Sequence, residues 1–204
     1  MENKNIRPII YIHGSNYISA KKIPVQKIVI WFYKMLNVVP DYSSEVYPDW
    51  LDSIRKTGRR VIVFKWSGVV WPWQVVKASR DLSKQINEMR EDVDVVSQSL
   101  GTWIAIKTAK INYRIKTITS VCGVYRGLNI KIPFIEIIST FDWLERLANI
   151  FLNFGLLPDS KKILIPHKRH NEFMDDFSLP HAKFKHEKFS DLILSVIEEM
   201  EAFE

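Results

Sequence analysis

Short apolar runs alternate along this chain with longer segments in which apolar side chains recur every three or four positions. The short runs are rich in Ile and Val and predict buried strands, whereas the longer segments predict amphipathic helices. The predicted strands are Ile6–Ile12, Arg60–Trp66, Val93–Ser97, Ile115–Cys122, Phe134–Ser139 and Lys162–Ile165. The predicted helices are Tyr47–Thr57, Ser79–Arg90, Leu100–Lys110, one beginning near Phe141 or Asp142, and Phe184–Met200. This alternation predicts an α/β fold with a mainly parallel sheet, helices on both faces and ligands at the carboxyl ends of strands.

The composition is typical of one globular domain. Of the 204 residues, 47% are hydrophobic and 25% are charged, which is enough apolar surface to bury a core. No linker, low-complexity stretch or repeat is apparent, so we expect a single domain over residues 1–204. The one cysteine, Cys122, excludes an internal disulfide and suits a reducing compartment.

The chain is basic, with a net charge of +6 at pH 7 and a pI near 9.3. Basic surfaces attract nucleic-acid phosphates, but here the Lys and Arg residues are scattered, often beside acids, and no nucleic-acid-binding module is readable. We therefore expect a basic globular protein without a nucleic-acid partner. No signal peptide is apparent either, so the expected location is the cytoplasm.

Ser99 stands where an apolar strand breaks into small residues and then into a helix, in the sequence S-Q-S-L-G over residues 97–101. Such a tight strand-to-helix turn presents a nucleophilic hydroxyl above the sheet edge and leaves the next backbone N–H free to bind an oxyanion. Gly101 is one of the small residues that this turn requires, whereas Ser97 replaces the glycine expected two positions before Ser99. The same string also occurs in ordinary turns and at helix N-caps.

Four segments together resemble the α/β-hydrolase superfamily, most nearly its small lipase-like and esterase-like members, over nearly the whole chain. They are the strand and His-Gly loop of residues 8–14, the strand and turn of residues 61–68, the Ser99 turn, and a late acid followed by a histidine. Their order, with serine before acid before histidine, is that of the superfamily. The resemblance implies the α/β-hydrolase fold, a three-layer sandwich, with Ser99 as the nucleophile.

The resemblance also implies the partners of Ser99. Asp142 follows a predicted strand and would orient the catalytic histidine, although an acid there also suits the first turn of the next helix. His170 follows the last strand and would act as the base. The alternative acids are Asp159 and Glu136, and the alternative bases are His181 and His167.

The oxyanion hole implied by the resemblance consists of two backbone N–H groups, those of Ser15 and Leu100. His13, Gly14 and Gly101 are expected to support it by packing and hydrogen bonding rather than to react. No metal or cofactor is expected, because the five histidines form no H-E-x-x-H motif, one cysteine cannot make a thiolate site, and no glycine-rich phosphate loop is present.

An apolar segment at about residues 17–45 separates the His-Gly loop from the first helix. Its most apolar window, Ile23–Pro40, is too short and too interrupted by polar residues to span a bilayer. It predicts either a lid over an acyl-binding pocket, with peripheral membrane contact, or a core helix under the sheet edge. Trp31 in this segment, with Trp71 and Trp73 after a strand end, predicts a hydrophobic substrate pocket.

These features together predict a serine hydrolase that cleaves a carboxylic ester with a hydrophobic acyl group, using Ser99, His170 and Asp142. Its expected partner is a small-molecule acyl ester. Two alternatives stay open: a catalytically inactive hydrolase fold that acts as a binding protein, and a basic protein that binds a membrane surface or nucleic acid.

Overall fold

A computed structural model describes residues 6–14, 47–66, 72–127, 129–153, 160–166, 168, 170–180 and 183–202. Its strands are β1 Ile9–Ile12, β2 Val61–Phe64, β3 Val93–Gln98, β4 Ile115–Val121, β5 Phe134–Ser139 and β6 Lys161–Ile165. Its helices are α1 Trp50–Lys56, α2 Pro72–Met89, α3 Gly101–Ala109, α4 Trp143–Leu152 and α5 Phe189–Glu201, with a short 3-10 helix at His170–Met174. The predicted strands are therefore all present.

The six strands form one sheet in the order β2-β1-β3-β4-β5-β6, and every neighbouring pair is parallel. All carboxyl ends consequently lie along one side of the sheet, here called the carboxyl edge, and all amino ends lie along the other, the amino edge. The loops that follow β1, β3, β4, β5 and β6 are neighbours at the carboxyl edge. This topology brings together segments that are far apart in sequence, which is where ligands bind in parallel α/β folds.

Each face of the sheet is covered by its own hydrophobic core, because strand side chains alternate between the two faces. On one face, Ile9 and Tyr11 of β1 and Val96 of β3 pack with α1 and α5. On the other, Ile10 and Ile12 of β1 pack with α2 and α3. The predicted parallel sheet with helices on both faces is confirmed.

Two helix boundaries differ from the predictions. Helix α2 begins at Pro72 rather than Ser79, and proline is favoured at the first helical position because the N–H it lacks has no helical partner there. Helix α5 begins at Phe189 rather than Phe184, because the preceding backbone pairs elsewhere: the Glu187 carbonyl accepts from Leu179 N–H, and Phe189 N–H donates to the Phe177 carbonyl.

Within these described ranges, no helix combines the length and the apolar character that crossing a membrane requires. The predicted insertion at about 17–45 lies outside the described residues.

Candidate active site

Ser99 lies at the turn between β3 and α3, at the carboxyl edge, and has a backbone φ of +49°. This left-handed conformation is unfavourable for a residue with a side chain and persists where neighbouring bonds fix it. Here the Ser99 N–H donates to the Val121 carbonyl at 3.0 Å, and the Ser99 carbonyl accepts from Val124 N–H at 2.8 Å and Thr102 N–H at 3.1 Å. The strained turn is thus held by the end of β4, the loop that follows it and the first turn of α3.

Two glycines allow the chain to approach this turn closely. A Cβ on Gly14 would lie 2.9 Å from the Ser99 Cβ and 3.5 Å from its Oγ. A Cβ on Gly101 would lie 2.7 Å from the His13 carbonyl oxygen and closer still to that of Ile12. Real side chains do not fit at such distances, so glycine at both positions lets the loop after β1 pass directly beside Ser99.

The Leu100 N–H stands at the start of α3, immediately after Ser99. Among the described residues, no group accepts a hydrogen bond from it. Amide groups at a helix N-terminus favour negative charge, which is the property an oxyanion site needs. Ser15, the other expected donor, lies outside the described residues, although its neighbour Gly14 is in contact with Ser99.

His13 is fixed by the loop around it. Its Nδ1 lies 2.6 Å from the Gly14 carbonyl oxygen, its ring stacks on Trp66 with centroids 5.7 Å apart, and Trp66 Nε1 donates to the His13 carbonyl at 3.0 Å. These contacts favour the supporting role expected for His13, because they order the backbone that runs beside Ser99.

The Ser97 side chain, which replaces the expected glycine, is fully buried and points into the sheet face that packs on α3. Its Oγ lies 3.0 Å from Thr102 Oγ1, which lies 3.0 Å from Ser120 Oγ. Gly123 closes over these hydroxyls, since a Cβ there would lie 2.8 Å from Thr102 Oγ1. Ser97 therefore joins a buried row of hydroxyl groups under the turn and does not crowd Ser99.

Asp142 lies at the carboxyl edge, in the loop between β5 and α4, and is almost fully buried. It caps α4: its Oδ1 accepts from Glu145 N–H at 3.0 Å, as the helix-start interpretation anticipates. It also lies against Cys122, whose thiol pKa is raised well above its ordinary range by burial first and then by the Asp142 charge and hydrogen bond. Since Cys122 directly follows β4, the end of β4 lies between Asp142 and the Ser99 turn in the sheet order.

The other candidate acids are placed differently. Glu136 is buried in β5, where its Oε2 accepts from Ser160 Oγ at 2.9 Å and from the Tyr125 hydroxyl at 3.3 Å. These contacts put Glu136 inside the core rather than at the carboxyl edge. Asp159 lies outside the described residues.

Helix α4 connects Asp142 with the loop that holds Ser99. Asn149 Nδ2 donates to the Gly123 carbonyl at 2.8 Å, and its Oδ1 accepts from Tyr125 N–H at 3.0 Å. Val124, between these two residues, is the one bonded to the Ser99 carbonyl. The sequence offered no signal for Asn149, because its partners lie more than twenty residues away and an asparagine within a helix is unremarkable.

Around Asn149, burial raises the pKa of several acidic groups. Burial, helped by the Glu136 charge, raises the pKa of Glu145 to about 7, and burial also raises the pKa of Glu136 and of the Tyr125 hydroxyl. Glu145 Oε2 and Glu136 Oε1 have no hydrogen-bond partner within the described part of the chain.

The base is expected in the loop after β6. His170 begins the 3-10 helix that follows this loop, and its imidazole lies outside the described part of the structure, as do His167 and His181. The loop itself is joined to the acid loop by Ser139, the last residue of β5. Ser139 Oγ accepts from the N–H groups of Lys168 and Phe141, both at 3.1 Å, and donates to the Lys168 carbonyl. Nothing in the sequence distinguished Ser139 from an ordinary strand end.

Of the three tryptophans expected at the substrate pocket, Trp31 and Trp71 lie outside the described residues. Trp73 lies in the first turn of α2, just beyond the end of β2, and its side chain is 60% exposed. Phe141, beside Asp142, is 58% exposed. Two exposed aromatic rings therefore stand along the carboxyl edge.

A cleft of about 610 Å³ lies between α2 and the loop that follows α3, away from Ser99. It is lined by Arg80, Ser83, Lys84, Asn87, Glu88, Arg90 and Ile111. Across the described residues, His, Cys, Asp and Glu side chains form no group of three or more that could hold a metal ion.

Comparisons with known proteins support the architecture. No family model matches the chain, and no curated protein matches its sequence. Among solved structures, the α/β hydrolase enzyme MGS-MChE2, from the metagenome of sediments of the Mar Chica lagoon in Morocco, superposes with a TM-score of 0.59 at 16% identity, covering 95% of this chain and 91% of that one. A protein of Xanthomonas campestris pv. campestris assigned to the α/β superfamily of hydrolases superposes with a TM-score of 0.51 at 12% identity, covering 93% of this chain and 99% of that one. With its parallel sheet and its strand-to-helix turn at Ser99, the chain has the α/β-hydrolase fold.

Proposed function

We propose that this chain is a serine hydrolase that cleaves carboxylic esters with a hydrophobic acyl group, with Ser99 as its nucleophile. The observation that carries the proposal is the strained Ser99 backbone, φ +49°, held by three main-chain hydrogen bonds at the carboxyl edge. Strain that a fold maintains with dedicated bonds is typical of functional sites. The likeness to solved α/β hydrolases supports a hydrolase in general.

The reaction proceeds in two steps. Ser99 Oγ attacks the ester carbonyl carbon as its proton passes to His170, and the oxyanion accepts hydrogen bonds from the N–H groups of Leu100 and Ser15. The bond to the alcohol oxygen breaks, and the alcohol leaves with the proton from His170. A water molecule then loses a proton to His170 and attacks the acyl carbon, and Ser99 leaves and regains its proton. Asp142 stabilises the imidazolium in both steps.

Several features support this assignment of roles. Gly14 brings the loop after β1 within van der Waals distance of Ser99, and the Leu100 N–H follows the nucleophile directly. Asp142 is buried after β5, two strands along the sheet from β3, and Ser139 joins the Asp142 loop to the loop that precedes His170. The exposed rings of Trp73 and Phe141 at the same edge support an apolar acyl group.

The proposal is tested by turnover of p-nitrophenyl esters from acetate to octanoate. Ser99→Ala is expected to lower kcat by about 10⁴-fold or more, because only the oxyanion site and substrate binding remain. Ser79→Ala is the matched control: its hydroxyl donates to the Val76 carbonyl within α2, away from the carboxyl edge. Retained turnover in Ser99→Ala contradicts the assignment of Ser99 as the nucleophile. Absence of turnover in the unmodified protein with every ester contradicts the proposal and favours a non-catalytic binding protein.

A further inference from the structure

Ser139 is a buried residue whose hydroxyl makes three hydrogen bonds to two different loops. It ends β5 and has no exposed surface. Its Oγ accepts from Phe141 N–H at 3.1 Å, in the loop that leads to Asp142. It also accepts from Lys168 N–H at 3.1 Å and donates to the Lys168 carbonyl, in the loop that leads to His170. One side chain thus bonds to three main-chain groups in the two loops.

The two loops meet only after their strands have ended. The last pair in the β5–β6 ladder joins Ser139 to Ile165, and the Thr140 N–H then donates to the Ile165 carbonyl at 3.0 Å. Beyond this point the chains turn in separate directions, one into α4 and the other into the 3-10 helix at His170–Met174. Ser139 bonds to Lys168, two residues before His170, and to Phe141, the residue before Asp142. Its hydroxyl therefore joins the two loops beyond the point where hydrogen bonds between β5 and β6 fix the distance between the chains.

We propose that Ser139 is a positioning residue that holds the His170 loop at a fixed distance from Asp142. This inference rests on the proposed function, because it assigns the acid and the base that function requires. An acid stabilises an imidazolium only while the two groups stay within hydrogen-bond reach, and a displacement of about 1 Å can cost on the order of 100-fold in rate. Ser139 touches no reacting atom and acts through the backbone of the two loops.

The test compares Ser139→Ala with Ser139→Thr, which keeps a hydroxyl. Ser139→Ala is expected to lower kcat for a p-nitrophenyl ester by about 10- to 100-fold with KM changed less than about threefold, because positioning affects the chemical step more than binding. Ser139→Thr is expected to recover most of this loss. Thr108→Val is the matched control, since it removes another buried hydroxyl, one bonded to the Ile104 and Ser79 carbonyls in α3 and α2. It lowers stability and leaves kcat unchanged.

A second readout does not depend on turnover. The His170 imidazole is titrated by NMR in the unmodified protein and in Ser139→Ala, where its pKa is expected to fall by about 0.5 unit or more as the Asp142 charge moves away. If Ser139→Ala does not fold, Ser139→Cys replaces it, because the thiol keeps the volume but bonds weakly.

An unchanged His170 pKa and an unchanged kcat in the folded variant overturn the positioning role. A lowered His170 pKa in a protein that hydrolyses no ester supports the positioning role while the proposed function fails, so the two failures are distinguishable.

Discussion

At the amino edge of the sheet, Asp94 is fully buried between two arginines, whereas at the carboxyl edge the buried polar groups around the Ser99 turn are mainly hydroxyls and amides. Asp94 accepts from Arg59 at 2.7 Å and Thr117 at 2.8 Å, and Arg7 lies 3.2 Å away. Arg59 also reaches Glu201 at the end of α5. At the carboxyl edge, three hydroxyl groups lie under the Ser99 turn, those of Ser97, Thr102 and Ser120. Asn149 lies beside the turn, and Ser139 joins the Asp142 loop to the loop before His170.

The two edges therefore have separate roles. Ion pairs at the amino edge tie β3 to the ends of the chain, where no chemistry is proposed, so substitutions there are expected to change stability. At the carboxyl edge, uncharged hydroxyl and amide groups fix the loop backbones at short range. Substitutions that loosen the loops leading to Asp142 and His170 are expected to change activity more than stability, whereas Ser97, in the hydroxyl row under the turn, is expected to affect stability.

The largest expected effect is on the base. His170→Ala is expected to lower kcat by about 10³-fold or more, with little change in thermal unfolding, because it removes the proton acceptor of Ser99. Esterase turnover and calorimetry on the same preparations measure both effects. His186→Ala, in a half-buried loop before α5, is the control and is expected to retain turnover. If His181→Ala or His167→Ala is the inactive variant instead, the assignment of the base is wrong.

A large effect on stability alone is expected at the amino edge. Asp94→Asn is expected to lower the free energy of unfolding by about 3 kcal/mol, because the buried Arg59 then keeps Glu201 but loses the charge of its fully buried partner. Urea denaturation measures this loss. The exposed pair Arg60–Glu91 is the matched control, and Glu91→Gln there is expected to change stability by less than about 1 kcal/mol. Loss of turnover in folded Asp94→Asn contradicts the division between the edges.

A pH effect is expected from Glu145. Burial raises its pKa from 4.5 to about 7, so between these values the folded protein holds a proton that the unfolded chain releases. This contribution to the free energy of unfolding is complete below pH 4.5, the unfolded pKa, and is lost as the pH rises through about 7, the folded pKa. The side chain introduced by Glu145→Gln cannot ionise. Between pH ~5 and ~8, the free energy of unfolding of this variant is therefore expected to fall by about 2 kcal/mol less than that of the unmodified protein. Urea denaturation at several pH values measures it, and parallel curves for both proteins would exclude a raised pKa.

The smallest effect is expected at Ser97. Ser97→Gly restores the glycine of the usual G-x-S-x-G motif, yet it is expected to leave kcat within about threefold, because the Ser97 hydroxyl points away from Ser99 to Thr102. It is expected to lower the free energy of unfolding by about 1 kcal/mol, through the lost hydrogen bond and the added chain entropy. A large gain in kcat would show that Ser97 distorts the turn.

The parts of the fold that depend on local pattern could be predicted from the sequence. Strand β5 has the bounds Phe134–Ser139 that its apolar run predicts, and Ser99 lies at the predicted strand-to-helix turn. Helix α2 was predicted to begin too late, because the apolar residues before Ser79 suggested a patch after a strand rather than the first turn of a helix. Propensity and periodicity are weakest at the ends of elements.

The contacts that shape the site could not be predicted, because they join residues distant in sequence. Ser139 bonds to Lys168 and Asn149 bonds to Gly123, and neither pairing follows from the residue types alone. The contact of Gly14 with Ser99 depends on β1 lying beside β3, which is a property of the sheet order. The resemblance to a known superfamily indicated which residues lie together at the site. The polar groups that hold those residues in place can be identified only from the folded structure.

Whether Ser99 is an activated nucleophile can be measured by reaction with a fluorophosphonate followed by peptide mapping. We expect one adduct, on the peptide that contains Ser99, in the folded protein and none after the protein has been unfolded in urea. Ser79→Ala is expected to label at the same rate as the unmodified protein. An absence of adduct in the folded protein, or an adduct on a different serine, would contradict the claim.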